Sequence, residues 1–118
     1  MPISWKTYKG KQILYVDYSG LKTDEMIKLL NESCNVLKSS SGNVLLLTNF
    51  ENTTATTEYM NEVKRQGKDV ITVKATKTAL LGIVGVKGVL VQGYAFFTGE
   101  KNLKTFSTEQ DAMEWLVS

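Results

Sequence analysis

The sequence predicts an α/β fold, a mixed sheet of about five strands that opens with a β-hairpin and is flanked by about four helices. Three observations carry that expectation. The chain begins with two alternating segments, Ile3–Tyr8 and Gln12–Tyr18, joined across Lys9-Gly10-Lys11. Two continuous apolar runs, Val44–Leu47 and Ala79–Val84, follow at wide spacing. Segments with helical apolar stripes lie between and after them, and strands alternating with helices imply a layered sandwich.

Each element has its own local reason. The short Lys9-Gly10-Lys11 connection makes the first two strands antiparallel, because parallel strands need a long crossover. Ile13, Tyr15 and Asp17 alternate with Leu14, Val16 and Tyr18, so both faces are largely apolar, as in a strand covered on both sides. Thr23 supplies a cap oxygen, and Asp24 and Glu25 follow in the first turn, where a helix favours negative charge. The helix runs to about Lys38 with Met26, Leu30, Ser33 and Leu37 on one stripe, widened by Ile27 and Cys34. Ser39 to Asn43 forms a loop, and Val44–Leu47 reads as a central strand buried on both faces.

The polar stretch Asn49–Thr57 competes with regular backbone bonding. Thr56 or Thr57 caps a helix whose core stripe is Tyr59 or Met60 with Val63, extended to Gln66, and which Gly67 breaks or ends. Asp69–Ala75 is compatible with a strand or a helical turn. Ala79–Val84 is a buried strand. In Gly85–Phe97, β-branched residues and glycines favour a strand by propensity, whereas Val86, Val89, Leu90, Gly93, Tyr94 and Phe97 fall at helical spacing. Lys104–Phe106 is a short strand, and Ser107 with Gln110 three residues later forms a capping-box signal. The last helix then presents Ala112, Trp115 and Leu116 on one face.

At 118 residues the chain reads as a single domain spanning 1–118, large enough to bury about two-thirds of its unfolded surface without metal or disulfide. A hydrophobic content of 42% with 22% charged residues excludes disorder. No apolar run is long enough to span a bilayer, and the start MPISWKTYKGKQ lacks the apolar core of a secretory signal. The single cysteine, Cys34, allows no internal disulfide and points to a reducing, cytoplasmic setting. The absence of histidine removes Ser-His and Cys-His nucleophile pairs and the usual zinc sites, so neither metal nor cofactor is expected. The net charge of +2 implies no polyanion partner. The bases Lys64, Arg65, Lys68, Lys74, Lys77 and Lys87 outnumber Asp69 in their segment, but no aromatic is interleaved with them, which argues against nucleic acid.

The order of elements in Lys77–Leu116, KTALLGIVGVKGVLVQGYAFFTGEKNLKTFSTEQDAMEWL, is informative when joined to the hairpin, the Thr23 helix, the VLLL strand and the polar loop. It resembles the SpoIIAA-like branch of the STAS (sulfate transporter and anti-sigma antagonist) domains. The resemblance implies a SpoIIAA-like sandwich and makes Gly85–Phe97 a helix. It also implies a noncatalytic regulatory module that binds a protein partner. The alternative it offers is a small-molecule or lipid binder of the SEC14-like kind. STAS domains carry a modified serine or threonine at the start of the helix after the central strand, in a motif like Asp-Ser-Ser-Gly-Leu-Gly. NTTATTEYM has neither the Asp-Ser pair nor the glycines. What carries over is a position, near Thr53–Thr57, where Thr54 and Thr56 are the candidates for phosphate.

Other candidates come from the residues themselves. Glycines around Gly85, Val86, Lys87 and Gly88 follow a strand, and open N–H groups there with the Lys87 charge, joined by Lys77, would attract an anion. A tight turn made for close packing is the competing reading. Tyr94, Phe96 and Phe97 form a core stripe, a pocket for a small apolar ligand, or a homodimer face. Cys34 on its apolar stripe reads as a core residue. Asp17, Glu51 and Glu58 are the carboxylates near strand ends, and nothing in their spacing makes an acid–base pair, so the chain is read as no enzyme.

Overall fold

The computed structural model describes residues 2–53, 56–82 and 102–118. Strands β1 (Ile3–Tyr8) and β2 (Lys11–Asp17) form the hairpin, in register from Tyr8↔Lys11 to Ile3↔Val16. Its two turn residues, Lys9 at φ 50° and Gly10 at φ 81°, are both left-handed, the geometry whose twist matches that of the paired strands. Helix α1 (Thr23–Ser39) leads to β3 (Val44–Asn49), parallel to β2. Next come α2 (Thr57–Glu62), a π-helical turn (Val63–Gly67) and α3 (Lys68–Lys74), then β4 (Ala75–Leu81), parallel to β3. Strand β5 (Leu103–Phe106) pairs parallel with β4, and α4 (Glu109–Val117) closes the chain.

The sheet is mixed, with strands in the order β1-β2-β3-β4-β5. Period-two alternation sends side chains to two separate cores. Leu14, Val16, Leu46 and Leu80 pack with Met26, Leu30 and Leu37 of α1, Tyr59 and Met60 of α2 and Val63 of the π turn. On the other face Ile13, Leu47, Ala79 and Leu81 pack with Ala112 and Leu116 of α4. The continuous VLLL run follows from this burial on both faces, which leaves no solvent side for polar residues.

The structure corrects several local expectations. Thr23 is the first helical residue, with Lys22 at the cap position donating its N–H to Glu25 Oε1 at 3.1 Å. Thr108, rather than Ser107, caps α4, accepting from Asp111 N at 3.2 Å. Gly67 does not end the helical segment. It is buried against Leu30, Val63 and Ile71 and passes the chain into α3. The stretch of uncertain type, DVITVK, belongs to that helix. Val70 and Ile71 pack on the core while Val73 is 74% exposed, so contact with the core overrides the β-propensity of four β-branched residues. Strand β4 begins at Ala75, four residues before the apolar run, because Ala75 already pairs with Val44. It stops at Leu81, and Gly82 follows at φ 77°. The expected Gly85–Phe97 helix lies outside the described residues.

Candidate interaction site at the end of the central strand

The carboxyl ends of β2 and β3 lie side by side, with Asp17 opposite Asn49, and β4 ends beside them at Leu81. The chain leaving β3 is pinned there by its backbone. Tyr18 N donates to Asn49 O at 2.8 Å, Phe50 N to Leu81 O at 2.8 Å, and Gly20 N to Glu51 O at 3.3 Å. Asn49 uses both ends of its amide: Oδ1 accepts from Glu51 N at 2.9 Å, and Nδ2 donates to the Tyr15 hydroxyl at 3.1 Å. This is the turn chemistry that favours Asn after a strand. Gly82 packs so closely that a Cβ there would stand 2.4 Å from Glu51 N and 2.7 Å from Phe50 C.

The hydroxyl groups of the loop hold it together. Thr53 is buried, with Oγ1 donating to Leu21 O at 2.5 Å. Thr56 caps α2, accepting from Tyr59 N at 3.3 Å, and its oxygen lies 3.0 Å from Thr23 Oγ1. The Thr23 oxygen therefore links two helix starts. Beneath the loop, Tyr18 stacks on Phe50 at 4.9 Å between centroids, and Tyr59 meets both rings edge-on. Burial pushes the Tyr18 phenol up to about 12, against the opposing pull of hydrogen bonds with Tyr59 and Ser33, so it stays neutral. Glu51, Glu58, Asp24 and Glu25 are exposed at this end.

Of the residues singled out from sequence, Thr56 sits in this cluster, half-buried at a helix start. Thr54 lies outside the described residues, as do Gly85, Val86, Lys87, Gly88, Tyr94, Phe96 and Phe97. Lys77, which the sequence offers to an anion site with Gly85–Gly88, is engaged among the described residues at the end of α4. Its ammonium donates to Trp115 O at 3.0 Å and Ser118 O at 3.1 Å, satisfying carbonyls at the end of α4, as a cation does at a helix C-terminus. Cys34 is buried, and burial raises its thiol pKa, which disfavours the reactive thiolate. Asp17 accepts from Ser19 N at 2.9 Å. Among the described residues no group of three or more His, Cys, Asp or Glu side chains could hold a metal ion. The strand order never reverses, so the described sheet has no switch-point crevice of the kind that binds nucleotides in doubly wound folds. No described helix is long and apolar enough to cross a membrane.

Two features escaped the sequence reading. The Thr23–Thr56 link needs two residues 33 positions apart to meet, and nothing in either local sequence signals it. The other is Thr78, whose buried hydroxyl has no partner among the described residues. A Thr in the middle of the run TKTALL was the only available signal.

No family model matches the sequence, and no curated protein matches it. Among solved structures, the fold is similar to that of an anti-sigma-factor antagonist (STAS) domain protein from Planctomyces limnophilus. The TM-score is 0.66 at 12% identity, with 98% of each chain covered. At that identity the likeness establishes the fold, a STAS-like sandwich, and fold alone does not fix function.

Proposed function

We propose that residues 1–118 form one noncatalytic regulatory module that binds a protein partner through the segment 50–58 and the adjoining start of α1. The observation that carries this reading is the build of the β3–α2 connection. It is anchored to β2, β4 and α1 by main-chain and hydroxyl hydrogen bonds, yet Glu51, Asn52, Thr57 and Glu58 remain exposed. A rigid base beneath exposed polar side chains lowers the ordering cost of binding. The STAS-like fold supports the same assignment, because the similar structure is that of an anti-sigma-factor antagonist. The exposed carboxylates favour a basic partner surface.

Thr54 and Thr56 are the proposed switch residues. Phosphate on Thr56 would replace the hydroxyl that accepts from Tyr59 N and meets Thr23. It would add up to about two negative charges beside Glu58 and remake the cap. The test is quantitative capture of a cross-linked, identified partner, with phosphosite mapping of protein from its native cells. Glu51→Lys with Glu58→Lys should weaken capture by about tenfold or more, whereas Lys104→Glu on β5 should leave it unchanged. Equal effects from both ends would move the partner face elsewhere. Phosphate-free threonines across growth states would remove the switch.

A further inference from the structure

Between the sheet and the α1–α3 layer lies a cavity of about 60 Å³. Its walls include Leu46, Leu80 and Leu103 of the sheet, Ile71 of α3, and the rings of Tyr18 and Tyr59. Thr78 also lines it. This residue is 3% exposed, and its Oγ1 has no hydrogen-bond partner among the described residues. A hydroxyl buried in this way loses its hydration without a replacement bond, a net cost to folding. Valine has the same shape and would avoid the cost, so sheet stability gives no reason for a threonine at this position.

We propose that the cavity binds a small neutral molecule with one hydrogen-bonding group on a short apolar body, seated against Thr78 Oγ1. Neutrality follows from the lining, which includes no Asp, Glu, Lys or Arg among the described residues; an ion there would be stripped of water without a counter-charge. The apolar body follows from the aliphatic and aromatic walls. Size follows from the volume: a water needs roughly 10–15 Å³ on the same kind of measure, and a cavity of about 150 Å³ takes benzene. A molecule of about four heavy atoms is the match. A single water would leave most of this volume empty; the hydroxyl-bearing Ser33 and Thr48 also line the cavity, but Thr78 offers the one unpaired, fully buried side-chain polar atom found among the described residues. This site does not depend on the partner face proposed above.

The experiment is a methyl-detected NMR titration of the full chain with acetone and with isobutene, which share a shape but differ in the acceptor. Acetone should shift the Leu46, Thr78, Leu80 and Leu103 methyls saturably. It should bind about tenfold more tightly than isobutene, the worth of one hydrogen bond near 1.4 kcal/mol. Thr78→Val should erase that preference while retaining the fold, and Thr78→Ser, which keeps the hydroxyl, should preserve it. Absence of saturable shifts overturns the site. So does an acetone preference that survives Thr78→Val, or a long-lived water contacting the Thr78 hydroxyl at saturating acetone. None of these outcomes bears on partner capture.

Discussion

Gly82 shows how much one position can dictate. It combines a left-handed backbone, φ 77°, with a Cβ direction blocked by the backbone of Phe50 and Glu51. Alanine there meets both a conformational penalty and an overlap that no rotamer relieves. Gly82→Ala should therefore destabilise by at least about 2 kcal/mol, read as a lower denaturation midpoint. A change near zero would mean that the β3–α2 connection shifts freely. The sequence marked a glycine-rich turn after the strand, but its purpose is visible only when the opposing backbone is in place. A cap at Thr56 or Thr57 was legible because capping is a local bond from a side chain to the backbone three residues on, and the structure uses Thr56. Thr23 and Ser107 were misassigned for the complementary reason. Each has the right oxygen at the right spacing, and a neighbour or a distant hydroxyl decides which one is used.

At the level of elements, Gly67 offers a sign test. Its backbone is right-handed helical at φ −89° and ψ −29°, and an added Cβ would meet Leu30 and Ile71 at 3.5 Å, ordinary contact. Gly67→Ala should thus stabilise by about 0.5–1 kcal/mol through lost freedom in the unfolded chain and added contact. A decrease would show that the π turn needs a glycine. The clasp between the hairpin and α4 gives a pH test. Glu114 accepts from Lys9 Nζ at 2.8 Å and from the Tyr8 hydroxyl, while Gln110 Nε2 donates to the Tyr8 oxygen at 2.6 Å. The Lys9 bond first, then the Tyr8 bond, holds the Glu114 carboxyl below its usual pKa. The contribution is present above the ordinary carboxylate range and is lost as pH falls through the lowered value. Hydrogen bonding to Glu114 raises the pKa of both Lys9 and Tyr8, so their contribution holds below their usual values and fades as pH rises past the raised ones. Glu114→Gln should flatten the acid limb of a stability–pH curve, and an unchanged limb would assign the acid sensitivity to other carboxylates. Helix type and order were legible wherever a stripe was continuous. DVITVK stayed open between strand and helical turn because its propensity points to a strand and only its neighbours make it a helix.

For the molecule as a whole, two cores on opposite sides of one sheet were foreseeable from strands apolar on both faces, and the STAS-like layout followed from the order of elements. The Thr78 cavity was not foreseeable, because an unpaired hydroxyl is a property of surroundings rather than of sequence. The smaller core can be ranked. Leu116 is 1% exposed, whereas Trp115 is only half-buried, tilted on Phe106 at 5.4 Å with Lys77 Nζ 5.2 Å from its ring. Leu116→Ala should cost about 3 kcal/mol and Trp115→Ala less, despite the larger side chain, because the leucine leaves a closed void. The reverse order in chemical denaturation would make Trp115 the anchor of α4.

The clasp also has a consequence in time. Its bonds join residues more than 100 positions apart: Lys6 to Glu109, Tyr8 and Lys9 to Glu114, and Lys11 Nζ to Val117 O. Among the described residues, α4 alone packs against the Ile13, Leu47 and Ala79 face of the sheet. On the ribosome the chain is made from its amino end, so this face lacks its α4 cover until residues 109–117 have been synthesised and have left the exit tunnel. A nascent chain arrested before Glu109 would display an apolar sheet surface to any chaperone within reach, and release of the last helix would end that encounter.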